Sequence, residues 1–340
     1  MTAESLMFTL RRTALAFVAL ITVGAFALSA SPAGSAQFPG TNGKIQYSQV
    51  TLSGGNIVAS IHLVNPDGSG DQAVIANGWY ASQNAAGTKI AYVNPAASGV
   101  TNSLHVANFD GTGDTVVATS ASGRQFSATS MSADGTKIVF LDRPSGVPGT
   151  SEVMVINVDG TGLTNLTNGA YNGVSGPNIS PDGATIVFTS GAPSQLFTIP
   201  VTGGSATQIT TGAGSRNGSW TPDGKILGTA STDIVRMHAD GTGLVTLLSA
   251  TTISMSSVAW PIASPDGTKM VFSSAPQAGS NSLWVANIDG TNPVRILDNA
   301  VFGQGIDLAL GIWSSNGGAP VTTTTTTAPA ADPVAPAFTG

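Results

Sequence analysis

The sequence predicts an all-β protein, a six-bladed β-propeller of four-stranded antiparallel blades, closed by N- and C-terminal strands in one blade. Three observations predict this fold. Asp-Gly, a pair favoured in tight turns between antiparallel strands, occurs nine times. The copies form two alternating series that recur at the length expected of a propeller blade, about 40–45 residues. The chain also begins and ends with partial units that complete each other.

Residues 1–36 are predicted to be a signal peptide. Arg11 and Arg12 precede an uncharged run at 13–30, and the small residues at 34–36 suit cleavage before Gln37. A twin-arginine export signal and an uncleaved anchor helix are the alternatives, since a run of this length can just span a bilayer. We therefore expect a bacterial protein exported to the extracellular space or the cell-envelope surface.

Residues 37–318 are predicted to form the propeller, and the first turn series marks the step from strand A to strand B of each blade. Each turn is followed at once by a short apolar strand, such as the segment 137–140 with the sequence Lys-Ile-Val-Phe. The four turns of this series are Ser132–Gly135, Ser180–Gly183, Thr221–Gly224 and Ser264–Gly267.

The second turn series marks the step from strand C to strand D. Its glycines stand at positions 68, 111, 160, 203, 241 and 290, and Thr202 replaces the aspartate in the fourth copy. The steps of 43, 49, 43, 38 and 49 residues match one blade each. Five continuous units follow, led by strands near Gln83, Met131, Ile179, Trp220 and Ala263.

The sixth unit is split between the two ends of the propeller segment. The segment 41–47 is a turn plus a strand B without a strand A, and 306–317 is a strand A plus a turn without a strand B. Pairing the two removes the open sheet edges that invite aggregation. The sequence therefore predicts a ring closed within one blade.

Residues 319–340 are predicted to be a disordered tail rich in Thr, Pro and Ala. A run of six threonines, 322–327, leads into Ala-Pro repeats, a composition that cannot pack a core. The last five residues, 336–340, resemble a sortase sorting motif. Chance similarity and a truncated surface-anchor signal are both compatible with this match.

Composition excludes several classes of function. The chain has no cysteine, so it can form neither disulfides nor thiolate metal sites, and it has no cysteine nucleophile. Its formal net charge of −6 makes binding to a phosphate backbone improbable.

The acidic residues offer little catalytic chemistry. Nine aspartates belong to Asp-Gly turns, where the side chain is expected to accept local backbone hydrogen bonds. No close pair among the others suggests a two-carboxylate glycosidase. Those others are Asp71, Asp114, Asp142, Glu152, Asp233, Asp298, Asp307 and Asp332.

The three histidines are not expected to bind one metal ion. His62 and His105 occupy the same position on strand C, five residues before a turn aspartate, and His238 stands elsewhere. We interpret the shared position as a packing position because the other blades place large apolar residues there. Those residues are Met154, Phe197, Val235 and Trp284. We therefore expect no metal, no cofactor and no catalytic residue, which disfavours an enzyme.

The turn Ser-Pro-Asp-Gly, a following Lys-Ile-Val-Phe strand and a strand that ends in Asn-x-Asp-Gly together resemble the TolB-type β-propeller repeat. The similarity covers roughly 38–317. It implies a six-bladed propeller, usually a binding platform and occasionally an enzyme scaffold. TolB carries an α/β domain before its propeller, whereas here the signal segment runs straight into the first blade, so membership of the Tol–Pal system is not implied.

A ligand is expected at the mouth of the central channel, on the face that carries the B–C loops and the D–A connections. Aromatic and arginine side chains, which often anchor interfaces, collect there. The candidate residues are Tyr80, Arg124, Tyr171, Arg216, Phe302 and Gln304 from D–A connections, with Asp142 and Arg143 from a B–C loop.

These patterns predict an exported, monomeric module that binds an envelope or extracellular protein or a cell-wall glycan. Two alternatives remain open: a propeller-scaffold extracellular enzyme of polysaccharide lyase or hydrolase type, and a structural surface component.

Overall fold

The computed structural model describes residues 42–53, 56–95, 102–145, 150–212, 214–275, 282–298 and 307–315. Within them, strands form six four-stranded antiparallel sheets, which confirms the predicted six-bladed propeller. The predicted signal peptide and tail, and the candidate residues Phe302 and Gln304, lie outside the described residues. No helix in the described ranges is long and apolar enough to cross a membrane.

The strands follow one another blade by blade. In blade 1, β1 (Asn42–Ser53), β2 (Asn56–Val64) and β3 (Gln72–Ala76) are strands B, C and D. Blade 2 contains β4 (Trp79–Gln83), β5 (Lys89–Pro95), β6 (Asn102–Asn108) and β7 (Thr115–Thr119). Blade 3 contains β8 (Arg124–Met131), β9 (Lys137–Pro144), β10 (Glu152–Asn157) and β11 (Thr164–Asn165).

Blade 4 contains β12 (Ser175–Ile179), β13 (Thr185–Ser190), β14 (Gln195–Pro200) and β15 (Thr207–Gln208). Blade 5 contains β16 (Ser215–Trp220), β17 (Ile226–Ala230), β18 (Asp233–Met237) and β19 (Val245–Leu248), followed by a 3₁₀ helix, Ala250–Ile253. Blade 6 contains β20 (Ser257–Ala263), β21 (Lys269–Ala275), β22 (Ser282–Asn287) and β23 (Val294–Leu297). Strand A of blade 1 is β24 (Asp307–Ser315).

The ring closes where the sequence predicts. Strand β24 pairs antiparallel with β1, with Trp313 opposite Ile45 and Leu308 opposite Gln49. The A strands of neighbouring blades contact one another, which places them around the central axis. The chain therefore has two faces: the mouth face, which carries the B–C loops and D–A connections, and the turn face, which carries the A–B and C–D turns.

The Asp-Gly turns are four-residue turns in which the glycine takes the left-handed conformation. In the turn 132–135, the Gly135 amide donates to the Ser132 carbonyl at 2.9 Å, and Gly135 has φ 68°. The Asp134 carboxylate accepts the Thr136 amide at 2.9 Å, which confirms the predicted capping role. Hydrogen bonds, first among them that from the Ser132 hydroxyl, hold the pKa of Asp134 below its usual value.

These turns should make stability depend on acid pH. The Ser180 hydroxyl likewise lowers the pKa of Asp182. A carboxyl whose pKa is lower in the folded chain stabilises the fold above its unfolded pKa, and this contribution is lost as pH falls. We therefore expect the free energy of unfolding to drop as pH falls below about 4. Denaturant titrations across this range measure the drop. In the double variant Asp134→Asn, Asp182→Asn, the free energy of unfolding should fall less steeply with decreasing pH than in the parent chain. An equal slope in both proteins would contradict this account.

The interior lies between the blades, where side chains of strand B fill the gaps. Tyr47 of β1 packs in a cluster with Val271 and Leu283 of blade 6. Tyr92 of β5 packs with Ile61 and Ile75 of blade 1. In blades 1 and 2, the strand-B residue three positions after the lysine (Lys44 or Lys89) thus faces the preceding blade.

The C–D turns also approach the preceding blade closely. A Cβ atom built on Gly241 would lie 1.8 Å from the carbonyl oxygen of Ile209, next to the outer strand of blade 4. On Gly290 it would lie 2.0 Å from the carbonyl oxygen of Leu247 in β19. The turn backbone therefore rests on the outer strand of the neighbouring blade, and a side chain has no room there.

Candidate functional site

An ion pair lies at the mouth face of blade 3. Arg124 begins β8 and Asp142 lies near the end of β9, so both side chains belong to the same end of the blade. The Arg124 Nε donates to Asp142 Oδ2 at 2.7 Å. Asp142 Oδ1 is enclosed and accepts no hydrogen bond from the residues that the structure describes. The pair thus retains one carboxylate oxygen without a hydrogen bond in the described part of the chain.

Two further arginines lie on the mouth face. Arg143 follows Asp142 on β9 and is half-buried, whereas Arg216 of β16 is exposed two blades farther around the ring. Neither forms an ion pair with any residue in the described ranges. The mouth face therefore presents two cationic groups that have no ion-pair partner in the described part of the chain.

The two candidate tyrosines lie deeper than the arginines. Tyr80 is 5% exposed and packs with the core of blades 2 and 3. It has φ 52° at a β-bulge where the A–B register shifts. Tyr171 is half-buried, its ring lies 5.5 Å from that of Phe188, and its hydroxyl accepts the Ala206 amide at 3.1 Å. That the eight candidate residues form one ligand-binding surface stays a prediction.

The polar residues that begin several C strands brace the D–A connections. Glu152 accepts the Gly169 amide at 2.9 Å, and Asp233 accepts the Ser249 hydroxyl at 2.9 Å. In blade 4 the corresponding residue, Gln195, accepts the Thr210 hydroxyl at 2.8 Å. These acceptors serve the loops of the mouth face, so they are less available to a ligand than the arginines.

His62 belongs to a hydrogen-bonded cluster that sequence reasoning missed. Its Nδ1 lies 3.1 Å from Asp71 Oδ1, and its Nε2 lies 2.9 Å from Ser60 Oγ. The Tyr47 hydroxyl donates to the same Asp71 oxygen at 2.8 Å, and the Tyr47 and His62 rings lie 5.2 Å apart. We call these four residues the blade 1 cluster. The histidine packs in the interior as predicted, but both of its ring nitrogens have polar partners.

The same arrangement recurs one blade later. His105 Nδ1 lies 3.0 Å from both oxygens of Asp114, and Nε2 lies 2.8 Å from Ser103 Oγ. The Tyr92 ring lies 5.1 Å from that of His105. These four residues form the blade 2 cluster. The sequence signal is a strand-B tyrosine, then Ser-x-His, then an aspartate nine residues after the histidine, and it occurs in blades 1 and 2.

The clusters face the gaps on the two sides of blade 1. Tyr47 packs against blade 6, and Tyr92 packs against blade 1. Burial, reinforced by hydrogen bonding to Asp71 and Asp114, raises the pKa of both phenols far above the usual value. No group of three or more His, Asp or Glu side chains within the described ranges is placed to hold a metal ion.

The clusters should make stability depend on alkaline pH. A phenol whose pKa is raised in the folded chain stabilises the fold below its unfolded pKa, about 10, and this contribution is lost as pH rises. The double variant Tyr47→Phe, Tyr92→Phe should therefore lose less stability between neutral and alkaline pH than the parent chain. It should fold, because blades 3, 4 and 6 carry Phe140, Phe188 and Phe272 at this position. Denaturant titrations and tyrosinate absorbance measure the effect. Equal alkaline slopes would contradict it.

Comparisons with known proteins agree with the architecture. The family model for the TolB β-propeller domain matches residues 82–305. No curated protein sequence matches the chain significantly. TolB from Acinetobacter baumannii is 17% identical with a TM-score of 0.62, and the alignment covers 82% of this chain and 68% of that one.

Two other solved structures are also similar. A protein assigned as TolB from Agrobacterium tumefaciens is 15% identical with a TM-score of 0.58, covering 75% of this chain and 90% of that one. An oligogalacturonate lyase in complex with manganese is 14% identical with a TM-score of 0.51, covering 78% and 86%. At these identities the likeness is one of fold.

Proposed function

Since this chain belongs to the TolB β-propeller family, we propose that it is an exported, cell-envelope-associated module that binds a protein through its mouth face. A cell-wall glycan is the alternative ligand. The observation that carries the proposal is that Arg143 and Arg216, on the face that also holds the Arg124–Asp142 ion pair, form no ion pair among the residues that the structure describes.

The chemistry of this face favours a partner with acidic groups. Arginine is enriched at interface centres because its planar guanidinium forms paired hydrogen bonds with carboxylates. The propeller itself is acidic overall, with a net charge of −6 for the chain. Arg143 and Arg216 add positive charge to the mouth face of an acidic protein, and positive charge of this kind steers an anionic partner toward the surface that carries it.

The turn face is a less suitable surface because many of its charged groups already form hydrogen bonds within their own blade. Lys89 donates to Asn108 at 3.0 Å and Lys137 to Asn157 at 2.9 Å, so these lysines join the A–B turn to the C–D turn within a blade. The turn aspartates accept amides of their own turns, as Asp159 does from Thr161 at 2.9 Å.

We propose binding rather than catalysis because the carboxylates that begin the C strands, Glu152 and Asp233, support the loops of the mouth face. Export rests on the predicted signal peptide. Fractionation of cells that express the full chain, with N-terminal sequencing of the exported form, tests both: we expect an envelope or extracellular protein that begins at Gln37. A full-length cytoplasmic protein would contradict export.

Capture of envelope proteins by the tagged chain tests the binding face. The double variant Arg143→Ala, Arg216→Ala should weaken binding of any captured partner at least about tenfold. The matched control is Lys89→Ala, Lys137→Ala, which removes two positive charges from the turn face and should leave affinity unchanged. Equal loss in both variants would point to net charge alone, and no loss in the arginine variant would refute the proposed face.

A further inference from the structure

We propose that Ser60 and Ser103 are activated nucleophiles, each able to take an acyl or phosphoryl group from an activated donor. These two hydroxyls would then be sites of covalent modification in the gaps beside blade 1. The proposal concerns the blade 1 and blade 2 clusters and does not depend on the binding function of the mouth face.

The first argument is the geometry at the histidine. In the blade 2 cluster, both Asp114 oxygens lie 3.0 Å from His105 Nδ1, and Ser103 Oγ lies 2.8 Å from Nε2. A carboxylate at Nδ1 favours the tautomer that carries its proton there, which leaves Nε2 as an acceptor. The Ser103 hydroxyl then donates to Nε2. A base held in this way is what activates serine in nucleophilic catalysis.

The second argument is that regular structure fixes this geometry. Ser103 and His105 are two residues apart on β6, so both side chains point to the same side of the sheet. The C–D turn returns Asp114 to that side just before β7. The blade 1 cluster repeats the arrangement, with 2.9 Å from Ser60 to His62 and 3.1 Å from His62 to Asp71.

The third argument is that blade packing does not require these polar groups. Blade 3 carries Phe140, Met154 and Leu163 at the positions of the tyrosine, histidine and aspartate, and it packs into the same ring. At the serine position, blade 3 carries Glu152, which braces a loop. Ser103, by contrast, bonds to His105 and to no other side chain of the described residues.

The fourth argument is access. The His105 side chain is 9% exposed, so little water competes for its nitrogens, while Asp114 is 40% exposed. Ser60 and Ser103 are half-buried. A small reagent can therefore reach the hydroxyl while the base behind it stays shielded.

The reaction is a simple displacement. With a fluorophosphonate, a bond forms between serine Oγ and phosphorus, the phosphorus–fluorine bond breaks, and fluoride leaves. The hydroxyl proton passes to histidine Nε2 and then to solvent, and the aspartate stays ionised. With an activated carboxylic ester, the acyl group transfers to Oγ and the alcohol part of the ester departs.

The test uses the full chain and a fluorophosphonate probe, with peptide mapping by mass spectrometry. We expect added mass at Ser103 and Ser60. His105→Met, which installs the residue found in blade 3, should slow labelling of Ser103 about 100-fold or more and leave Ser60 unaffected. His62→Met should do the reverse, so each cluster is the control for the other.

If His105→Met does not fold, Asp114→Asn at the more exposed position serves instead and should slow labelling of Ser103 at least about tenfold. Absence of label at both serines in the folded parent chain would overturn the proposal. Equal labelling of Ser103 in the parent chain and in His105→Met would overturn it too. If the histidine variants had lower melting temperatures and the parent chain took up no label, the clusters would only brace the blades.

Discussion

Replacing Gly241 with alanine should destabilise the propeller by roughly 3–5 kcal/mol, a large share of the stability of an ordinary domain. Two costs combine. Gly241 has φ 84°, a conformation that alanine adopts only under strain, and the added Cβ would lie 1.8 Å from the backbone oxygen of Ile209. Because backbone cannot rotate away, blades 4 and 5 must separate. Urea titration of the parent and the variant measures the loss.

Gly183 provides the matched control for this prediction. It has φ 71° in an A–B turn, but beyond its two chain neighbours no atom of the described residues lies within 4 Å of an added Cβ. Gly183→Ala should therefore cost about 1 kcal/mol, the conformational term alone. The difference between the two variants isolates the contact between blades. Similar losses at both positions would mean that blades 4 and 5 tolerate a wider separation.

Ending the chain at residue 306 should abolish cooperative folding, the second large effect. The truncation removes β24, which pairs with β1 from Asn42 to Val50 and supplies strand A of blade 1. Without it, β1 presents an open edge beside the central axis, and the ring loses the strand that joins its two ends. Thermal melts followed by circular dichroism, together with gel filtration, should show a broad transition and aggregation.

A chain that ends at residue 318 is the control for this truncation. It keeps β24 and removes the segment predicted to be a tail, so its melting temperature should equal that of the full chain. A chain ending at residue 306 that melted in the same way would show that ring closure contributes little to stability.

Much of the fold was predictable because its signals are local and repeated. The turn signal, a serine followed two positions later by Asp-Gly, spans four adjacent residues. An equivalent hydrogen bond of 2.9 Å, from the glycine amide to the serine carbonyl, closes the turn 132–135 in blade 3 and the turn 180–183 in blade 4. The split blade was predictable because two incomplete units had complementary parts. Order along the chain sufficed for both inferences.

The clusters and the glycine contacts were not predicted, for a different reason. Gly183 and Gly241 each follow an aspartate and take nearly the same φ, yet one faces open space and the other touches a neighbouring blade. His105 was placed correctly on a packing position, but its partner Asp114 lies nine residues away across a turn. Such relations depend on three-dimensional proximity, which the pattern of a single blade does not report.

For the candidate ligand residues too, some properties were predictable from the sequence and others were not. Their position at one end of the blades followed from strand order, whereas the depth of each side chain did not. The strand-A bulge of blade 2 gives Tyr80 its φ of 52° in a buried position. Arg216, near the start of strand A in blade 5, is exposed. Bulges alter side-chain direction without any length change that the repeat spacing would reveal.

The closure of the ring also determines how the propeller would be oriented if one of its ends were attached to a surface. Asn42 and Ser315 are partners across β1 and β24, so the chain enters and leaves the propeller at one spot on the turn face. A linker that attached either end of the propeller to a surface would hold the turn face toward that surface. The mouth face, with Arg143 and Arg216, would then point away from it. The attachment point and the proposed binding face would then lie on opposite faces of the propeller, so attachment would not block binding.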